Sequence, residues 1–135
     1  MLEKLRIARK RLPDSGEILI STNGSLINPE IASKIVKEIG VDSVSFSIDT
    51  VSQDKLNRLR EGSDFNLIAN NIETSAKSKD EAKKDSTLGL ETVIMKDNFS
   101  DLPELVKFAA ENDVDYILAS HVVLYTPKIF AKPCI

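Results

Sequence analysis

The sequence predicts an α/β fold in which about four parallel strands alternate with helices. Apolar stripes at helical spacing alternate along the chain with short strand-like runs. The helix that ends at Gly40 passes directly into a strand, which is typical of a parallel α/β unit. That strand alternates strictly, because Val44, Phe46 and Ile48 share one face while three serines and then Asp49 share the other.

Ser43, Ser45 and Ser47 make the second face of this strand polar. The apolar face requires helices packed against it, and the hydroxyls require hydrogen-bond partners if they are buried. A barrel wall meets both conditions, with helices outside and a polar cavity inside. The serines therefore favour the arc of a partial TIM-type barrel over an open sheet. Because eight strands already leave only a side-chain-filled interior, four strands do not close a barrel.

The first elements follow from local signals. Residues 2–12 have helical spacing, and residues 17–21 contain a continuous apolar run that predicts a strand covered on both faces. Asn28 and Pro29 predict the N-cap and first turn of the next helix. Gly40 predicts its end.

The middle of the chain predicts two helices and a loop. Ser52 opens a short helix, and Ser63 or Asp64 caps a longer one. The charged run 77–86 predicts a frayed surface loop.

The last elements are a strand, a helix and a second strand. Residues 87–95 and 115–121 have strand character, and Asp101 and Glu104 have the spacing of a capping box. The helix that begins there is expected to bury Leu102, Leu105, Val106 and Ala109. The second strand repeats an earlier pattern, since residues 112–117 resemble residues 39–44 roughly two repeat units earlier.

Composition excludes several classes of protein. The 135 residues suffice for one domain, and 18 basic against 21 acidic residues give no indication of nucleic-acid binding. No apolar run approaches the roughly 20 residues that cross a bilayer. The basic start of the chain lacks the apolar block of a signal peptide. A single cysteine, Cys134, predicts a reduced cytoplasmic setting.

Polar residues lie where the strands are expected to end. Ligands of parallel α/β folds bind at the carboxyl ends of the strands. The residues at these ends are Thr22, Asn23, Ser47, Asp49, Asn98 and His121.

Four segments resemble the radical S-adenosylmethionine (radical SAM) enzymes. Residues 20–27, Ile-Ser-Thr-Asn-Gly-Ser-Leu-Ile, resemble their third strand and turn, and residues 44–49, Val-Ser-Phe-Ser-Ile-Asp, their fourth strand. Residues 59–65 are similar to the Arg-Gly-x-x-Phe stretch that follows, and residues 93–105 to the fifth strand and its helix. The resemblance implies one incomplete core domain over residues 1–135, contributing the third to sixth units of a (β/α)6 barrel, with an irregular tail at 126–135.

The resemblance also implies cofactors and site residues. The family uses S-adenosylmethionine and a 4Fe–4S cluster. By this resemblance, Ser47 and Asp49 are the main candidates for binding S-adenosylmethionine, and Arg60 is a candidate partner for its carboxylate. Thr22 and Asn23 are weaker candidates. Asn98 and His121 are expected on the substrate side.

The chain departs from the family in one respect. A cluster needs several cysteine thiolates, which the family supplies from a CxxxCxxC loop, and Cys134 is the only cysteine here. The Gly-Gly-Glu segment that holds the S-adenosylmethionine amino group is also absent. The sequence therefore predicts part of a radical SAM enzyme, inactive without the first barrel units. The alternative is a non-catalytic α/β module that self-associates or binds a protein partner. In the first case the missing barrel units would cover the open sheet edge, and in the second case the partner would.

Structural roles remain open for several of these residues. The serines are equally compatible with simple packing, and Asp49 with a turn or cap. Arg60 fits a solvated helix residue, and His121 a structural histidine. Glu91 needs a partner if it points inward, and the sequence names none.

Overall fold

A computed structural model describes residues 1–82 and 85–121. The predicted tail 126–135, including Cys134, lies outside the described residues. The strands are β1 (Leu19–Thr22), β2 (Ser43–Ser47), β3 (Thr87–Ile94) and β4 (Tyr116–His121). The helices are α1 (Leu2–Arg11), α2 (Pro29–Ser33, continued by a π-helical segment Lys34–Ile39), α3 (Gln53–Leu59), α4 (Phe65–Ala82) and α5 (Leu102–Glu111), with a 3-10 turn at Phe99–Asp101.

The four strands form one sheet in the order β1-β2-β3-β4, and every neighbouring pair is parallel. This confirms the predicted fold class of parallel strands alternating with helices. Because all the strands run in the same direction, their carboxyl ends meet at one edge of the sheet. We call this the carboxyl edge and the opposite one the amino edge.

One face of the sheet carries the helices and the hydrophobic core. The predicted alternation of β2 is observed, since Val44, Phe46 and Ile48 are all buried on this face. Burying a side chain of this size contributes about 1.5–3 kcal/mol, so this face supplies most of the driving force for folding. The helices contribute Ile35, Val36, Ile39, Leu56, Ile68, Ile72 and Leu105 to the same core.

The other face, which we call the inner face, is exposed on its two outer strands among the described residues, whereas Ser43 and Ser45 at its centre are buried. Leu19 on β1 is 69% exposed and Leu118 on β4 is 57% exposed. The prediction that the first strand is covered on both faces is therefore wrong for Leu19. Alternation turns this residue away from the helices, although its neighbours Ile18 and Ile20 pack against the core.

The residues at both ends of the α2 helical segment adopt the conformations that the sequence predicts. The Asn28 side chain accepts a hydrogen bond from the Ile31 backbone N–H, and Gly40 ends the π-helical segment in the left-handed conformation. Gly24 has φ +79°, and a Cβ there would lie 2.7 Å from the Phe46 ring. Only glycine fits this turn, which follows β1 at the carboxyl edge.

Two predictions about the helices are wrong. The charged run predicted to fray from residue 77 stays helical to Ala82, because Lys79 pairs with Asp115 and Glu81 pairs with Lys37. Val106, expected to face inward on α5, is 57% exposed. The buried face of this short helix is limited to Leu105 and Ala109.

Of three residues predicted to open or cap the helices after β2, two make no capping hydrogen bond and one does. Asp101 occupies the N-cap position of α5 but makes no capping hydrogen bond, because its carboxylate binds other side chains. Ser52 likewise precedes α3 without capping it, whereas Asp64 accepts a hydrogen bond from the Leu67 N–H at the start of α4.

No helix among residues 1–82 and 85–121 is long and apolar enough to cross a membrane.

Candidate functional site

Asp49 and Arg60 meet at the carboxyl edge. Asp49 follows β2 and is only 4% exposed. Its Oδ1 accepts a hydrogen bond from the Val93 N–H at 2.9 Å, and its Oδ2 accepts one from Arg60 Nε at 2.7 Å. The carboxylate thus links three parts of the chain: the end of β2, the last residues of β3 and the loop after α3.

This contact leaves most of the Arg60 guanidinium available. Its Nε–H is the only donor that bonds to another group in the described part of the chain. The two terminal amino groups form the fork that suits a carboxylate or phosphate. Because Asp49 fixes the orientation of the guanidinium, Arg60 is prepared to bind an anion without first having to be ordered.

The buried Asn98 side chain hydrogen-bonds to the backbone at the same edge. It has no exposed surface, and its Nδ2 donates to the backbone carbonyls of Asp49 and Val93, each at 2.9 Å. Its Oδ1 accepts from the Met95 N–H at 2.7 Å. The structure therefore places Asn98 in the frame of the site, where burial keeps it from the substrate contact predicted for it.

Thr22 and Asn23 shape the turn after β1. Thr22 Oγ1 accepts from the Gly24 N–H, and Asn23 Oδ1 accepts from both the N–H and the hydroxyl of Ser25. Asn23 also lines a cavity of about 160 Å³ whose other wall is the loop from Glu61 to Asp64. The turn and the loop that follows Arg60 therefore lie on opposite sides of one small cavity.

Ser47 and His121 are the remaining predicted residues. Ser47 is half-buried, and its hydroxyl makes no hydrogen bond with any described residue. It lies two residues before Asp49, on the inner face of β2. His121 ends β4 in register with Ile94 and is exposed. Two strands thus separate it from β1 along the carboxyl edge, so it belongs to the far side of the site.

A second polar cluster extends the carboxyl edge. Asp101 accepts a hydrogen bond from Lys55 Nζ at 2.5 Å and one from Thr50 Oγ1 at 2.7 Å. The Lys55 hydrogen bond is the main reason that the pKa of Asp101 lies below its ordinary value. Beside this cluster, Arg58 and Asp97 line a cavity of about 290 Å³ together with Lys55.

The inner face holds functional candidates that sequence reasoning missed. Glu91 on β3 accepts hydrogen bonds from Ser21 on β1 at 2.6 Å and from Ser45 on β2 at 2.5 Å. These hydroxyls are the partners that the sequence could not name. Strand alternation in residues 87–94 places Glu91 on the same face as Gly89, but only the strand register shows that Ser21 and Ser45 share this face and reach the carboxylate.

Tyr116 closes the amino side of the inner face. Its ring lies across Gly89, where an added Cβ would come within 2.2 Å of it. Its hydroxyl is hydrogen-bonded to that of Ser43, 2.9 Å away on β2. Glycine at position 89 is therefore required for the aromatic ring to lie this close to β3.

No group of three or more His, Cys, Asp or Glu among residues 1–82 and 85–121 is placed to hold a metal ion. The chain has one cysteine in total, whereas an iron–sulfur cluster is held by several cysteine thiolates. The Arg60 fork suits the carboxylate of an amino-acid ligand.

Sequence comparison relates the chain to known proteins. The family model described as the radical SAM superfamily matches residues 1–109. A tungsten-containing aldehyde ferredoxin oxidoreductase cofactor-modifying protein from Pyrococcus furiosus is 32% identical over 114 residues, which are 81% of this chain and 31% of that protein. A GTP 3′,8-cyclase from Clostridium perfringens is 26% identical over 106 residues, 78% of this chain and 30% of that protein.

Solved structures show the same fold. Streptococcus suis SuiB bound to S-adenosylmethionine superposes with a TM-score of 0.71 at 18% identity, over 94% of this chain and 27% of that one. The chain therefore spans about 30% of the length of the relatives that it matches.

Proposed function

The chain belongs to the radical SAM superfamily, and from this premise we propose that it contributes part of the S-adenosylmethionine and substrate site of a radical SAM enzyme. It corresponds to part of that enzyme's core domain, the third to sixth βα units. Activity requires the preceding units, which supply the cluster-binding cysteines of the family. In such an enzyme, the cluster and S-adenosylmethionine together supply the radical chemistry, and this chain contributes binding groups.

The observation that carries this proposal is the arginine fork at the carboxyl edge. S-adenosylmethionine has an α-carboxylate, and the terminal amino groups of Arg60 make no hydrogen bond with any described residue. Asp49 holds Nε and thereby aims the fork. We therefore assign carboxylate binding to Arg60 and its positioning to Asp49.

Neighbouring residues complete the proposed site. The Ser47 hydroxyl has no partner among the described residues and serves as a donor to the same ligand. Thr22 and Asn23 shape the wall of the adjoining cavity, and His121 lies towards the substrate. Asn98 holds the backbone beneath Asp49 and does not contact the ligand.

The test restores the missing units. The chain is joined behind the first two βα units of the Pyrococcus furiosus relative, and S-adenosylmethionine binding is measured by calorimetry. We expect binding by the joined protein. We also expect Arg60→Ala to weaken it at least roughly tenfold, because a hydrogen bond to a charged group contributes about 1.5–3 kcal/mol.

Arg11→Ala is the matched control. Arg11 is an exposed arginine at the end of α1, and its guanidinium makes no hydrogen bond with the described residues. Its loss should leave the affinity unchanged. A joined protein that unfolds cooperatively but does not bind S-adenosylmethionine would overturn the proposal, as would equal effects of the two substitutions.

A second candidate function is a non-catalytic module that self-associates. It is favoured by β1, which pairs only with β2 among the described strands and leaves its other edge free. Leu19 on this strand is largely exposed. Light scattering on the chain alone distinguishes the two candidates: a discrete dimer with no gain in S-adenosylmethionine binding on joining supports the module, and a monomer argues against it.

We further propose a cytoplasmic location. One cysteine in 135 residues gives no internal disulfide, which fits a reducing compartment.

A further inference from the structure

The Glu91 carboxylate on the inner face forms no ion pair with any of the described residues. The ion pairs of the described residues all involve other acids. The carboxylate is half-buried, and both of its oxygens are held by serine hydroxyls. Two neutral hydroxyls stabilise a carboxylate without neutralising it, and further burial of such a charge is costly unless a cation accompanies it.

The serines fix the carboxylate in one position. Ser21 binds Oε2 from β1, and Ser45 binds Oε1 from β2 while donating weakly to the Ile20 carbonyl as well. A glutamate side chain free in solution samples several rotamers, and ordering it costs free energy. Here that cost is met during folding, so the two remaining acceptor positions of the carboxylate are preorganised for a ligand.

Apolar and aromatic residues neighbour Glu91 on the inner face. Leu118 is the registered neighbour of Glu91 on β4, and Leu19 lies two residues before Ser21 on the same face. Both leucines are largely exposed, and the Tyr116 ring covers Gly89 on the amino side of the carboxylate. A charge flanked by leucines and one aromatic ring matches a ligand with a cationic head and an aliphatic stem.

We propose that Glu91 forms a subsite for a positively charged substrate group on an alkyl stem, a primary ammonium or a guanidinium. The inference deepens the proposed function, on which it rests for identifying this ligand as part of the substrate. The preference for a cation depends only on the inner face.

The experiment uses the full 135-residue chain, isotopically labelled for NMR, with n-butylammonium as the probe. n-Butanol serves as its neutral counterpart at equal concentration, and ionic strength is held constant with potassium chloride. We expect saturable shifts at Ser21, Ser45 and Glu91 with the ammonium, and binding weaker by roughly tenfold or more with the alcohol, since charge-assisted hydrogen bonds are about twice as strong as neutral ones.

Two variants make the test specific. Glu91→Gln keeps an acceptor for the serines and removes the charge, so it should abolish the preference for the ammonium over the alcohol. Glu104→Gln removes an exposed carboxylate from α5 and should leave the preference intact. If Glu91→Gln does not fold, Glu91→Asp is used instead, and the shortened side chain should weaken ammonium binding several-fold.

Equal shifts with ammonium and alcohol would overturn the proposal, as would an unchanged preference in Glu91→Gln or no saturable shift in the wild-type chain. Failure here is distinguishable from failure of the proposed function. S-adenosylmethionine binding depends on Arg60 and should be weakened by its substitution, whereas ammonium binding depends on Glu91.

Discussion

Two arginine–aspartate pairs lie at opposite edges of the sheet and use the same groups differently. At the amino edge, Asp42 accepts from the Ile18 N–H at 2.7 Å and pairs with Arg9. At the carboxyl edge, Asp49 accepts from the Val93 N–H and pairs with Arg60. In each pair the carboxylate joins a strand backbone to a guanidinium.

The pairs differ in what the guanidinium does next. Arg9 donates to the Gly16 carbonyl at 3.0 Å and to the Gly40 carbonyl at 2.6 Å, so its terminal amino groups are occupied by the protein. Arg60 uses Nε alone among the described contacts. An arginine whose donors are consumed by the backbone stabilises the fold, whereas one held by a single nitrogen remains available to a ligand.

Asn98→Ala should lower the stability more than the other substitutions, because its side chain holds the backbone of the carboxyl edge in place. The substitution leaves two backbone carbonyls and the Met95 N–H without their partner in a buried place. We expect a loss of about 3 kcal/mol or more in the free energy of unfolding, measured with urea. A loss below about 1 kcal/mol would show that the edge does not depend on this amide.

Arg9→Lys and Arg60→Lys test the contrast directly, because lysine keeps a positive charge beside each aspartate. Arg9→Lys removes the donors to the Gly16 and Gly40 carbonyls and should lower the free energy of unfolding by about 2 kcal/mol, at roughly 1 kcal/mol for each bond. Arg60→Lys should cost less than half of this, since it keeps a cation beside the buried Asp49 carboxylate and the described residues use no other donor of that guanidinium. Equal losses in urea denaturation would contradict the division into a structural and a ligand-binding arginine.

Thr92→Val asks whether buried polar groups near the carboxyl edge stabilise the fold in general. Thr92 is buried on β3, and its hydroxyl has no hydrogen-bond partner in the part of the chain that the structure describes. Valine has the same shape and removes the unsatisfied group. We expect a gain of about 1 kcal/mol in thermal or urea unfolding. A loss of stability would show that the hydroxyl is satisfied.

The pH dependence of stability should be the smallest effect and should involve both edges. The hydrogen bond from the Ile18 N–H holds the pKa of Asp42 below its ordinary 3.8, and the one from Lys55 does so for Asp101. A lowered pKa means that folding favours the ionised form. The stabilisation is therefore complete above the ordinary value and is lost as the pH falls through the folded pKa.

Urea titrations between about pH 6 and pH 3 measure this loss. Asp42→Asn and Asp101→Asn should each flatten the decline in stability, because each removes one titrating group. If both variants decline as steeply as the wild type, acid unfolding begins elsewhere.

The sequence by itself determined the parallel α/β class, the two faces of β2 and the residues of the carboxyl edge. Strand alternation and helix spacing are local properties, so they can be read without knowing the partner elements. The repeated pattern at residues 39–44 and 112–117 was also meaningful. Asp42 and Asp115 each accept a hydrogen bond from a backbone N–H, of Ile18 and of Leu88 respectively.

Only the tertiary structure decided which of these residues act together. Asp49 and Arg60 were both candidates in the sequence, but their contact, and the open fork that it leaves, depend on how the loop after α3 folds back. Glu91 acquired its two serines from other strands, 70 and 46 residues away along the chain. The register between strands selects such partners, and packing of the whole core sets that register.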